Sequence, residues 1–153
     1  MIIRPAKVTD TKEIHKIIEY YVNNKRMLRR SFSTLYEDIQ EFVVFENRGK
    51  IIACGALHVL WEDLAEIKSL AVLDEYQRQG VGRKIVTSLQ ENAKNLGVNK
   101  VFVLSFDSEF FVKLGYKKIR KEDLPLKIWR ECIDCHLFQG CGKIALALSL
   151  IAE

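Results

Sequence analysis

Proline is nearly absent: Pro5 and Pro125 are the two in 153 residues, and the eight glycines are spread along the chain. With no Pro/Gly-rich tract, low-complexity segment or internal repeat, nothing marks a linker, and a single domain over 1–153 is expected. No apolar run approaches the roughly 20 residues of a membrane-spanning helix, so no membrane partner is expected. Met1-Ile-Ile-Arg lacks the charged-then-apolar layout of a secretory signal, and a cytoplasmic location is expected. Strong charge of one sign is missing too. A net charge of +4 suits an anionic ligand, yet the basic residues form no extended stripe with interleaved aromatics, which argues against a nucleic-acid partner. What is there, 48% hydrophobic and 29% charged residues, is the make-up of an ordinary globular chain able to bury a core.

The hydrophobic pattern divides the chain into short elements. Ile2 and Ile3 predict a strand ending at Pro5. Asp10-x-x-Glu13 has the form of a capping box, and Ile14, Ile17, Ile18, Tyr21 and Val22 repeat on one helical face. After the basic run Lys25–Arg30, Ser33 or Thr34 is the expected cap of a second short helix carrying Leu35, Ile39 and Phe42. Phe42–Phe45 and Ile51–Leu60, joined by Asn47-Arg48-Gly49-Lys50, read as a hairpin. A buried strand (Ile67–Val72) precedes a helix from Gly80 whose stripe is Val81, Ile85, Leu89, Ala93 and Leu96, with Gly97 at its end. Val101–Leu104 is a further strand. Ser108 is the expected cap of a short helix that Gly115 ends, and Tyr116–Ile119 a strand. A short helix is expected from Pro125, and Ile144–Ile151 is the last strand.

The chemistry concentrates between Glu66 and Gly82. Glycines at 80 and 82 admit close approach of a ligand, and a helix that starts there presents unpaired N–H groups and a positive dipole end, which suit a diphosphate. Arg78 and Arg83 add charge. The spacing is not that of a dinucleotide fingerprint, and no Gly-Lys-Ser/Thr ending marks a nucleoside triphosphate loop. The segment Gln77-x-x-Gly80-x-Gly82 after a strand ending Leu-Ala-Val instead resembles the acyl-CoA loop of GCN5-related N-acetyltransferases, the GNAT family. That resemblance implies an α/β GNAT fold, a central mixed twisted sheet flanked by helices on both faces, with acetyl-CoA as cosubstrate.

Further stretches narrow the resemblance. Thr34-Leu-Tyr-Glu-Asp-Ile-Gln-Glu-Phe, Gly55-Ala-Leu-His-Val-Leu, Ala65-Glu-Ile-Lys-Ser-Leu-Ala-Val, Val101-Phe-Val-Leu-Ser, Glu109-Phe-Phe-Val-Lys-Leu-Gly-Tyr and Glu122-Asp-Leu-Pro occur in order. They are similar to the acetyltransferase domain of N-acetylglutamate synthases, over residues from about 2 to 130. The amino-acid-kinase domain of the full-length synthases has no counterpart here, which puts arginine control in doubt. The resemblance implies transfer of acetyl to the α-amino group of L-glutamate, with Glu66 as general base and Ser105 as candidate proton donor to the leaving thiolate. It implies cosubstrate contacts from Leu70, Ala71 and Val72 to the pantetheine arm and from Gln77, Arg78, Gln79, Gly80, Val81, Gly82 and Arg83 to the diphosphate. Many GNAT enzymes carry a tyrosine where this chain has Phe111. For the acceptor it implies Leu28, Arg29, Arg30, Lys68 and Ser69, with Arg30 on a carboxylate. Lys68 alternates to the face of Glu66, where it could instead pair with that base.

Cys54 lies in an apolar run and reads as a core residue. Cys132-x-x-Cys135, His136 and Cys141 leave a metal site, redox-active thiols and structural thiols open. The second half of a zinc ribbon is missing and adjacent Cys135 and His136 fit poorly around one ion, so no metal is assigned. Two other functions compete: acetylation of a different small amine, and sensing of acetyl-CoA or arginine without turnover. A homodimer is the candidate assembly.

Overall fold

The computed structural model describes residues 1–23, 30–125 and 143–151. Leu28, Arg29, Cys132, Cys135, His136, Cys141 and the helix expected from Pro125 lie outside the described residues. In chain order the elements are β1 (Ile2–Pro5), α1 (Thr11–Asn23), α2 (Phe32–Glu37), β2 (Phe42–Asn47), β3 (Lys50–Trp61), β4 (Leu64–Val72), α3 (Val81–Asn95), β5 (Lys100–Ser105), α4 (Ser108–Lys113), β6 (Lys117–Ile119) and β7 (Ile144–Ser149). The seven strands form one sheet in the order β1-β2-β3-β4-β5-β7-β6. All neighbours are antiparallel except β4 and β5, so the sheet is mixed as expected.

Two hydrophobic layers enclose it. On one face the stripe Val81, Ile85, Leu89 and Ala93 of α3 packs on Phe45, Ile52, Ile67 and Val101, joined by Phe111 of α4. On the other, Ile14, Ile17 and Ile18 of α1 and Leu35 of α2 pack on Phe42, Val44, Cys54, Ala56 and Ala71. Each large side chain so buried contributes about 1.5–3 kcal/mol. Gly55 marks the closest approach of helix to sheet, because a Cβ there would stand 2.7 Å from Ile85 Cγ2. The β2–β3 hairpin closes through Arg48 (φ 52°) and Gly49 (φ 78°), the paired left-handed residues of a two-residue primed turn.

Three helix starts differ from the sequence reading. The Asp10 carboxylate accepts from the Lys7 backbone N–H at 2.7 Å and closes a 3-10 turn over Val8–Asp10, while Glu13 bonds Lys16. Asp10 and Glu13 therefore make no capping box, because the adjacent guanidinium and the Lys7 N–H claim the aspartate. The cap of α2 is Ser31, whose Oγ accepts from the Thr34 N–H at 3.1 Å, which leaves Ser33 and Thr34 inside the helix. The cap of α4 is Asp107, one residue before Ser108. In each case the helix or turn starts one to three residues earlier than expected, at Lys7, Ser31 and Asp107, and local composition alone does not rank such neighbours.

Arg4 ties β1 to the start of α1. Its guanidinium donates to Asp10 at 2.7 and 3.0 Å and to Glu46 of β2 at 3.2 Å. The hydrogen bond from Arg4 is the main reason the Asp10 carboxyl titrates below its ordinary value of 3.8, with the Lys7 N–H adding to it against the cost of burial. A depressed folded-state value means that this stabilisation is fully present above the unfolded value and is lost as pH falls through the folded one. Asp10→Asn is therefore expected to lower stability by about 1–3 kcal/mol at neutral pH. The gap in melting temperature from the parent should close progressively below pH 3.8, as scanning calorimetry between pH 7 and pH 2.5 would show. An undiminished gap at the acid end would remove this pair as its cause.

Candidate active site

The site begins with an irregularity in β4. Cys54 of β3 pairs with Ala71 and Ala56 pairs with Lys68, so two steps along β3 match three along β4. The extra residue forms a bulge at Ser69–Leu70, where Ser69 adopts φ 56°, an unusual conformation for a residue with a side chain. The bulge shifts the alternation of side chains. Before it, Glu66 and Lys68 share the α1/α2 face; after it, Ala71 does, and Leu70 turns to the α3 layer. Cys54 plugs the bulge from below: its thiol is fully buried and donates to the Ser69 carbonyl at 3.4 Å. Burial pushes this thiol up to about 12, with the nearby charge of Arg30 acting against the shift. Cys54 is a core residue, as expected.

The second irregularity is a split. β4 and β5 pair only at Ala65–Val101 and Glu66–Phe102. Beyond Glu66 the two parallel strands have no mutual register, so the edge of β4 past it is not paired with β5. Tyr21 closes one end of that edge. Its hydroxyl donates to the Val72 carbonyl at 2.8 Å and accepts from the Val72 N–H at 3.0 Å, as a neighbouring strand would. Gln77 joins this knot by donating to Tyr21, Val72 and Asp74 within 3.0 Å. The side chain of Gln77 thus fastens the turn to β4 and to α1.

Past Gln77 the chain turns outward. Arg78 (φ 63°) and Gly80 (φ 81°) both take left-handed backbone, and Gly80 supplies the first helical carbonyl of α3 to Lys84 at 3.1 Å. The N–H groups of the first turn point out of the helix end, and Arg78, Gln79, Arg83 and Lys84 surround it in exposed positions. Arg78, Arg83 and Lys84 form no ion pair with any described residue. Gly82 lies below, where a Cβ would stand 3.3 Å from the Phe110 ring and 3.7 Å from Val72. An open strand edge leading to a cationic helix start with close-approach glycines fits the thioester arm and diphosphate of a coenzyme A ester.

A family model for acetyltransferases (GNAT) matches residues 8–116. The chain belongs to that family. It is 40% identical over 148 residues to an uncharacterized N-acetyltransferase of Chlorobaculum tepidum, covering 97% of this chain and 96% of that one. An amino-acid acetyltransferase of Mycobacterium tuberculosis is 38% identical over 133 residues, 85% of this chain and 76% of the relative. The N-acetylglutamate synthase of Neisseria gonorrhoeae, solved with coenzyme A and N-acetyl-glutamate, superposes with a TM-score of 0.91 at 26% identity over 99% of this chain and 35% of that one. As a GNAT enzyme the protein is an acetyl-CoA-dependent N-acetyltransferase.

On the α1/α2 face of this GNAT sheet lie the residues expected near the acceptor. Glu66 is 8% exposed. Lys68, half-buried one pleat away, forms no ion pair with a described residue. The Arg30 side chain is 10% exposed and donates to Ser69 Oγ at 3.0 Å and to Asp38 at 2.5 Å, with its guanidinium 5.2 Å above the Phe42 ring. The arginine and the bulge serine expected near the acceptor are thus in direct contact. Ser105 ends β5 and accepts from the Asp107 N–H at 2.9 Å. Phe111 is buried among Phe110, Tyr116 and the α3 layer, and its neighbour Phe110 is the ring that reaches Gly82.

For several groups here the sequence assigns no role, because their partners are distant in the chain. Asp38, which holds Arg30, and Tyr21, which holds Val72, are separated from their partners by 8 and 51 residues. Cys54 at the bulge and the pair Glu41–His58 belong with them. Tyr21 stood in the apolar stripe of α1, and a tyrosine ending such a stripe is the one local hint that a hydroxyl needs a partner inside.

Saturation with acetyl-CoA at about a hundred times its Kd is expected to add about 2.7 kcal/mol to stability. Gly82→Trp should abolish that increment in a thermal melt by filling the helix start. An undiminished shift in the variant would place the diphosphate elsewhere.

Proposed function

We propose that the protein transfers the acetyl group of acetyl-CoA to the α-amino group of an amino acid, with L-glutamate as acceptor. The observation that carries the acceptor is the pairing of Arg30 with the strained Ser69 on the face of Glu66: a guanidinium, a hydroxyl and a carboxylate set out for a zwitterion. The Mycobacterium tuberculosis relative named as an amino-acid acetyltransferase and the Neisseria synthase solved with N-acetyl-glutamate support it.

Acetyl-CoA supplies an activated acyl thioester. The protein must supply a neutral amine, since an α-ammonium is largely protonated at neutral pH. Glu66, shielded from water and at the point where β4 and β5 part, takes that proton. The edge of β4 beyond it orients the thioester, with the Leu70 N–H polarising the carbonyl, since the Ala71 N–H is turned to the Cys54 sulfur. The Val72 N–H is already committed to Tyr21. Ser105 at the end of β5 is the group for the departing thiolate. Arg30 meets a substrate carboxylate, with Asp38 fixing the orientation of its fork and leaving other N–H donors free. Lys68, with no ion pair among described residues, is the second cation.

Glu66→Gln keeps the shape and loses the base. Its kcat should fall by roughly 10²–10⁴-fold with acetyl-CoA binding kept, and the deficit should shrink at high pH where free amine is abundant. A parental rate at neutral pH would remove Glu66 from the reaction.

Arg30→Ala should lower glutamate kcat/KM by several kcal/mol in effect, about 10²–10³-fold, and leave the acetyl-CoA KM little changed. If Arg30 holds the side-chain carboxylate, discrimination between glutamate and glutamine collapses; if it holds the α-carboxylate, both decline together. A thiol-release assay with acetyl-CoA against the common amino acids decides the acceptor, and no turnover with glutamate would sink this assignment.

A further inference from the structure

Glu41 and His58 form a second polar unit on the acceptor face, outside the residues given a role above. His58 Nδ1 and Glu41 Oε2 are 2.6 Å apart. A carboxylate can only accept, so the proton between them belongs to Nδ1, and Nε2 is left as the nitrogen able to exchange one. The register of β3 and β4 places His58 directly opposite Glu66. Residues directly opposite in an antiparallel pair carry their side chains on one face, with Cβ atoms about 4.5–5.5 Å apart. The His58 side chain is 32% exposed whereas Glu66 is 8% exposed, so the imidazole reaches water where the carboxylate opposite it in the register is buried.

Glu41 adds an independent observation. Its Oε1 is buried and has no hydrogen-bond partner among the described residues. A half-satisfied carboxylate next to a neutral imidazole is poorly compensated; next to an imidazolium it becomes an ion pair. Glu41 and Asp38 belong to the same short segment, the 3-10 turn Ile39–Glu41 and the residue before it. That segment therefore holds Arg30 with one carboxylate and His58 with the other. Among the described residues, β4 adds the charged groups Glu66 and Lys68 to this face.

We infer that His58, clamped by Glu41, is a positioning residue that orients Glu66 and relays its proton to solvent. The inference rests on Glu66 acting as base. In the balanced step, the substrate R–NH3⁺ gives one proton to the Glu66 carboxylate and becomes R–NH2. The carboxylic acid passes that proton to His58 Nε2, and the imidazolium, paired with Glu41, releases it to water. The amine attacks the thioester, the C–S bond breaks, and the second amine proton leaves with the thiolate as the thiol. One proton per turnover is released, and that proton is the one His58 carries. Glu66 returns to the ionised form needed for the next amine.

The test compares parent, His58→Ala, Glu41→Gln, Glu66→Gln and the double variant His58→Ala/Glu66→Gln by thiol release. The substrates are acetyl-CoA and the best amino-acid acceptor found, with melting curves confirming that each variant is folded. His58→Ala is expected to lose roughly 10²-fold in kcat while both KM values stay within about twofold. Free imidazole added to the assay should restore part of that rate, an effect that a packing role would not produce. Glu41→Gln should show a smaller kcat loss of the same kind, and His58→Ala should cost nothing further in the Glu66→Gln background. Parental kcat in folded His58→Ala overturns the inference, as does a loss that imidazole leaves untouched. If His58→Ala does not fold, His58→Gln and Glu41→Gln carry the test, and parental kcat in both overturns it. A Glu66→Gln protein with parental kcat removes the base itself, whereas a crippled Glu66→Gln beside an active His58→Ala removes only the relay.

Discussion

One extra residue in β4 organises this molecule. Without the bulge at Ser69–Leu70, the strand would keep its alternation to Val72 and the residues beyond Lys68 would exchange faces. With it, Glu66 and Lys68 look toward α1 and α2 while Leu70 packs into the α3 layer. The left-handed backbone of Ser69 costs of order 1 kcal/mol or more, and its surroundings over-determine it. The Cys54 thiol takes the Ser69 carbonyl, and Arg30 takes its hydroxyl. Gly55 opposite the bulge lets α3 approach, so the helix that carries the cationic turn is seated by the same irregularity.

The bulge and the split between β4 and β5 together divide the site by chemistry. One end is electropositive, with exposed Arg78, Arg83 and Lys84 around the start of α3, a field that suits an anionic ligand. The other end is enclosed and mixed in sign, with Arg30 against Asp38, His58 against Glu41, and Glu66 buried between β3 and β5. Tyr21 links the two, since α1 covers the acceptor face while its tyrosine hydroxyl pins Val72 and Gln77 at the head of the cationic turn. Tyr20 reinforces the link through Asp74. The position of the cationic turn is therefore tied mechanically to α1.

Most of the fold was legible because its elements carry local signatures. The helix from Val81 has a buried stripe as far as Ala93, with Leu96 of the expected stripe exposed past its end, the β2–β3 hairpin has its Arg48-Gly49 turn, and β5 reads as an unbroken apolar run. Helix starts were less legible. Ser31, Asp107 and the Lys7–Asp10 turn each compete with a neighbouring residue of similar capping ability, and the choice depends on backbone angles set by what precedes the helix.

The same division holds for the site. The sequence by itself determined the family, and it marked the turn from Gln77 to Gly82 and the carboxylate at Glu66 as candidates, because both rest on residues adjacent in the chain. Tertiary structure decided what those residues touch. The side chain of Gln77 turns inward to Tyr21, Phe110 and not Phe111 reaches Gly82, and Arg30 arrives already held by Asp38. Glu41 and His58 are brought together across the β2–β3 hairpin, and His58 is set opposite Glu66 only by the register of β3 on β4. A register is a sum of many weak pairings and one bulge, spread over both strands, and no short stretch of sequence contains it.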